Sequence, residues 1–105
     1  MTVTPQKEAV RGKILYYLAL IYPEPATLPL LQGDLNLLGY PMPMYDLNFY
    51  LAYLQIKGLV SREEYSTAQK PGPIRKVVLV KITAKGIDYY DGRLPADPGI
   101  YVGPK

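Results

Sequence analysis

Leu47, Leu51 and Leu54 stand at i, i+4 and i+7 in a stretch that begins at Met44, which puts them on one face of a helix. Gln55-Ile56-Lys57 closes that helix, and Gly58 supplies the residue that tolerates a left-handed conformation just past a helix end. Leu59 to Tyr65 follows at once as a strand. The other elements are arranged around this helix–glycine–strand junction.

Upstream, Pro5 to Tyr22 reads as the first helix, with Thr4 as its N-cap and Glu8 near its positive end. Val10, Ile14, Tyr17, Leu18 and Ile21 mark one apolar face; Leu15, Tyr16, Ala19, Leu20 and Tyr22 make the other side apolar too. A helix apolar all round is buried all round. Those five residues are therefore a candidate homodimer interface, unless a C-terminal segment of the same chain covers them. Pro23-Glu24-Pro25 breaks the helix. Ala26-Thr27-Leu28 suits a short extended segment, and Pro29 to Leu38 a second helix with Leu30, Leu31, Leu35 and Leu38 on its core side. Gly39 ends that helix, Gly39-Tyr40-Pro41-Met42 forms the turn, and Pro43 starts the third helix.

Downstream, Ser66 to Pro73 is dense in turn formers, and Ile74 to Thr83 returns as a second strand rich in β-branched residues. Val78, Val80 and Ile82 share one side of it. Thr83 caps a short last helix that Gly92 stops. The pattern predicts an α+β, mainly helical domain over residues 1–92 and an extended tail over 93–105.

Composition narrows the function. A chain of 105 residues, 49% hydrophobic, is one domain with one core. It carries eleven Tyr, one Phe and no Trp, and tyrosine serves interfaces as well as cores. It has no Cys, which excludes disulfides, and no His, which removes the commonest general base and metal ligand together. Ser61 and Ser66 have no base at a suggestive spacing, so an enzyme, a metal site and a bound cofactor are not expected. The apolar run from Ile14 to Tyr22 is much shorter than the roughly 20 residues of a membrane span, and no signal peptide is visible; a cytoplasmic location is expected. The net charge of +3 is mild, so its distribution matters more than its sum.

The order helix, helix, helix, strand, long basic turn, strand, helix resembles the winged helix-turn-helix superfamily, small MarR-, ArsR- and PadR-like regulators above all. Leu51-Ala52-Tyr53-Leu54-Gln55-Ile56-Lys57-Gly58-Leu59-Val60 and Val80-Lys81-Ile82-Thr83-Ala84-Lys85-Gly86 carry the likeness. The opening from Val10 to Leu31 and the close from Gly92 to Ile100 also look like small winged-helix proteins of Mu-like phages and prophages. The resemblance implies a small, homodimeric transcriptional regulator that binds double-stranded DNA, with the third helix in the major groove and the wing on the backbone.

Carried onto this sequence, the DNA-binding residues would be Tyr45, Asn48, Phe49 and Ala52 on the helix and Lys70, Arg75 and Lys76 on the wing. Asn48 suits a bidentate pair with adenine, Ala52 a thymine methyl and Tyr45 a phosphate. Between Ser66 and Ile87 the wing has five basic residues and no acid. Lys7, Arg11 and Lys13 either extend that surface or simply solubilise the first helix. The third helix departs from the pattern: it has no Arg or Lys before Lys57, and it carries Asp46. That leaves a second reading open, a protein-interaction module in which Tyr45, Phe49 and Tyr53 meet a partner protein. The two readings place different surfaces side by side. DNA binding requires the wing cations on the face of Tyr45 and Asn48; protein binding requires an exposed apolar patch there.

Overall fold

A computed structural model describes residues 6–68 and 74–103. Along them run α1 (Gln6–Ile21), β1 (Ala26–Thr27), α2 (Leu28–Leu37), α3 (Met44–Ile56), β2 (Val60–Ala68), β3 (Ile74–Ile82) and α4 (Ala84–Tyr90). The expected cap Thr4 and start Pro5 of α1 lie outside the described residues. The strands form one antiparallel sheet in the order β1-β3-β2. Ala26 stands opposite Val80 on one side of β3, and Val60 opposite Ile82 on the other. The architecture is α+β.

Three helices stop in the same way. At the end of α3 the amide of Gly58 donates to the Gln55 carbonyl and that of Leu59 to the Leu54 carbonyl. This closure needs a left-handed residue, and Gly58 has φ +78°. Gly39 (φ +91°) does the same for α2 and Gly92 (φ +80°) for α4. The starts are chemical as well. The Thr27 hydroxyl accepts from the Leu30 amide to cap α2, and the Thr83 hydroxyl accepts from the Gly86 amide to cap α4.

The core gathers on α1. Val10, Ile14, Leu15 and Leu18 are buried, and with them Leu31 and Leu35 of α2, Leu47, Leu51 and Leu54 of α3, and Val80 and Ile82 of β3. Two expectations change here. Leu15, expected at a subunit interface, is fully buried inside the chain. On α2, Leu30 and Leu38 were assigned to the core, yet both are exposed, and Leu28 packs on the core instead. Leu28, the first residue of α2, directly follows β1, and Leu38 lies beyond the last turn as the C-cap.

Much of the apolar excess of α1 is covered from within. α4 packs along it, with Tyr16 and Tyr90 stacked at 6.2 Å between ring centres. The tail then crosses it as a strap: Ile100 is buried in the core, and the Tyr101 amide donates to the Glu8 carbonyl at 3.0 Å. Gly12 makes that crossing possible, because a Cβ there would overlap the Tyr101 carbonyl. On the opposite flank the Tyr17 hydroxyl bonds the Asp34 carboxylate of α2, and that bond, with burial, pushes the phenol up to about 12.

Two glycine substitutions test this packing against each other. Gly12→Ala drives a methyl into the strap and should cost about 1–3 kcal/mol, read from urea unfolding. Gly33→Ala, in mid-helix with open space around the added carbon, should instead stabilise by roughly 0.5–1 kcal/mol.

Candidate functional site

The outward face of α3 is built by its own periodicity. With Leu47, Leu51 and Leu54 turned inward, Tyr45, Phe49, Ala52 and Ile56 fall on the opposite side. Tyr45 is 72% exposed, Phe49 61% and Ile56 84%. The Tyr45 and Phe49 rings meet edge to face at 4.8 Å, so the stripe is a preformed surface and not a set of isolated side chains. The stripe itself forms one wall of an open groove of about 580 Å³ between α3 and α1, whose lining also includes Lys7, Arg11, Tyr50 and Tyr53.

The polar residues around this face are mostly committed within the chain. The Asn48 amide nitrogen donates to the Met44 carbonyl at 3.0 Å, and its oxygen accepts from Arg62 at 3.2 Å. Arg62 also donates to Gln55 at 2.9 Å, so β2 is laced to α3 along one flank. A bidentate pair with adenine needs both ends of the Asn48 amide, and both are in use. On the other flank the Arg11 guanidinium lies 3.8 Å over the Tyr53 ring and donates to the Gly99 carbonyl at 3.0 Å. Lys7 stays exposed.

The hairpin places its charges differently from the expectation. Lys76 is exposed and lies 3.5 Å from Glu64 of β2, an ion pair in solvent. Arg75 is placed by backbone register alone, opposite Thr67, and Lys70 lies outside the described residues. On β2, Glu64 thus faces a cation of β3, while Glu63, opposite Leu79, accepts from the Tyr65 hydroxyl of its own strand. Of the residues proposed for a dimer on α1, Tyr16 and Ala19 are half-buried, while Leu20 (66% exposed) and Tyr22 remain at the surface. Lys81 lies 5.7 Å over the Tyr22 ring.

A cluster with no local signal in the sequence holds the end of α3. Asp97 of the strap accepts from the Gly99 amide at 2.7 Å and from the Tyr53 hydroxyl at 2.9 Å, and pairs with Lys57 at 3.1 Å. The Gly99 amide bond above all holds the Asp97 carboxyl below the usual carboxylate range; burial opposes it, and the bonds from Lys57 and Tyr53 add to the lowering. The same contacts raise the Tyr53 phenol, where burial acts first and Asp97 second, and raise the Lys57 ammonium through Asp97. Tyr89 of α4 joins the cluster by accepting from the Asp97 amide at 2.9 Å and donating to the Ile100 carbonyl at 3.0 Å.

A group whose folded pKa is depressed contributes stability above its unfolded value and loses it as the pH falls through the folded one. Asp97→Ala should therefore cost about 2 kcal/mol at neutral pH, and the difference from the wild type should shrink as the pH falls below the usual carboxylate range and Asp97 is protonated; urea titrations at several pH values measure both. A comparison of the chain with known protein families, with curated proteins and with solved structures finds no match.

Proposed function

We propose that the chain is a winged helix-turn-helix module that recognises a protein through the outward face of α3. The element order and the sheet order β1-β3-β2 support the winged-helix reading, with β2 and β3 as the wing. The observation that carries the choice of partner is the exposed stripe of Tyr45, Phe49 and Ile56, uninterrupted by any cation from Met44 to Ile56. Their 4-3-4 spacing with Ala52 is that of a helix-docking seam, so the partner presents an amphipathic helix. Aromatic residues in a rigid surface are the usual anchors of such contacts.

Double-stranded DNA is the second reading, and the frame favours it: α3 follows α2 through a short turn and leads directly into the wing, as in regulators that read the major groove. In that reading the protein is a small transcriptional regulator, and Lys70, Arg75 and Lys76 contact phosphate. Against it stand the engaged Asn48, the Lys76–Glu64 pair and Asp46 in the first turn of α3. DNA affinity draws on neutralised phosphates, and this face offers few free charges for that.

One pair of measurements separates the readings. A photocrosslinking residue at position 49 should form a discrete protein adduct that the same residue at Leu37, 86% exposed on α2, does not form. Titration of random-sequence duplex DNA at physiological salt should show no binding within the roughly 10⁻⁴–10⁻⁶ M range of non-specific contacts. Micromolar DNA binding that weakens with salt, with a shallower slope after Lys70→Ala, Arg75→Ala and Lys76→Ala together, would reverse the order of the two.

A further inference from the structure

We infer that the partner helix is acidic along one flank, with carboxylates that meet Lys7 and Arg11 across the groove between α1 and α3. The inference rests on the protein-docking reading and adds the chemistry of the partner. The groove has two unlike walls. From α3 come Tyr45, Phe49, Ala52 and Tyr53, and from α1 come Lys7 and Arg11. A helix laid along it buries its apolar side on the first wall and brings one flank over the second.

The two cations of α1 have no acid of their own. Among the described residues the ion pairs take up Lys57, Lys76 and Arg93, and none includes Lys7 or Arg11. Arg11 is held by neutral groups alone. It donates to the Gly99 carbonyl, and its guanidinium carbon stands 3.8 Å from the centre of the Tyr53 ring and 5.8 Å from that of Tyr50. These contacts fix where the guanidinium stands and leave its charge uncompensated, so an incoming carboxylate finds a cation already in place. Lys7 is exposed beside it. Against these two stands a single acid among the lining residues, Asp46 on the α3 wall.

Lys7 and Arg11 are four residues apart, so they lie on one side of α1 and about 6 Å apart along its axis. Two carboxylates three or four residues apart on the partner helix match that separation. Nucleic acid suits the groove less well. A single strand would stack its bases on the aromatic wall, but its backbone is charged at every nucleotide and calls for a longer track of cations than these two.

Peptide display on the full chain tests this, with a library built on one helical frame whose apolar stripe and flanks are randomised. Peptides selected on the wild type should carry Asp or Glu three or four residues apart on one flank, and Phe49→Ala should release them. Lys7→Glu should weaken the best of them about tenfold by fluorescence anisotropy, with a larger effect at low salt than at high salt. Selection repeated on Lys7→Glu should draw Lys or Arg to that flank. Both side chains are exposed, so unchanged thermal melts will show that the variants fold. Helical peptides that need Phe49 but carry no acidic flank, or that ignore Lys7→Glu, overturn the inference and keep the docking reading. The absence of any peptide that depends on Phe49 removes both. A single-stranded oligonucleotide that Phe49→Ala and Lys7→Glu each release, with no acidic helix selected, gives the cations to phosphate and overturns the inference as well.

Discussion

The peptide around Gly58 is where the structure is tied together. The left-handed turn there ends α3 by the Leu59 amide bond to Leu54 and starts β2 in the next residue. The Gly58 carbonyl accepts from the Thr83 hydroxyl at 2.7 Å, and the Leu59 carbonyl accepts from the Thr83 amide at 3.0 Å. Gly86, one turn into α4, has no side chain because a Cβ would overlap that same Leu59 carbonyl. The end of α3, the base of the hairpin and the start of α4 thus share two carbonyl groups. Angles between these elements follow from that sharing, and so does the direction in which α3 presents its outward face. A side chain at position 58 would strain the left-handed backbone, and one at position 86 would push α4 off the junction.

The contrast between α1 and α3 gives the surface its meaning. Both helices carry more apolar residues than one face can bury, but the chain treats them differently. α1 is wrapped by α2, α3, β3 and α4, and the strap then lies across Gly12. The strap goes no further than the edge of α3, where Asp97 holds Tyr53 and Lys57. Covering one large apolar side chain is worth about 1.5–3 kcal/mol, so leaving Tyr45, Phe49 and Ile56 open forgoes a sizeable fraction of a small domain's stability. The chain thus encloses most of α1 and leaves the outward face of α3 uncovered among the described residues.

Legibility followed sequence distance. Helix ends were readable because their causes sit within a few residues: Thr83 with Gly86, Gly39 and Gly92 with the turns before them. The inward face of α3 was readable because period and burial coincide at Leu47, Leu51 and Leu54. Ala26-Thr27 reads as extended between the prolines and α2, and it pairs with β3. What pairing brings together was not readable. The wing looked purely basic while β3 was taken alone, and Glu64 reaches Lys76 only once the hairpin closes. Asn48 looked free until Arg62, fourteen residues later, took its oxygen. Leu15 reads equally as a subunit interface or as covered by a C-terminal segment of the same chain, and it is buried within the chain. Asp97 stands in a proline-rich tail with no local sign that it meets Tyr53.

Electrostatic economy at α3 bears on what the surface can attract. Arg11, Lys57 and Arg62 surround the helix, and each is already held: by the Tyr53 ring and Gly99, by Asp97, and by Asn48 and Gln55. To turn them toward phosphate, the protein would have to give up contacts that position α3 against the strap and the sheet. Each partly buried partner so released would then lack its own hydrogen bond, which costs about 1–3 kcal/mol. The gain per phosphate contact is of comparable size and is screened by salt. The outward stripe involves none of these contacts, and its Tyr45 and Phe49 rings meet edge to face. The cations around α3 therefore hold the helix against the strap and the sheet, and its outward face stays apolar.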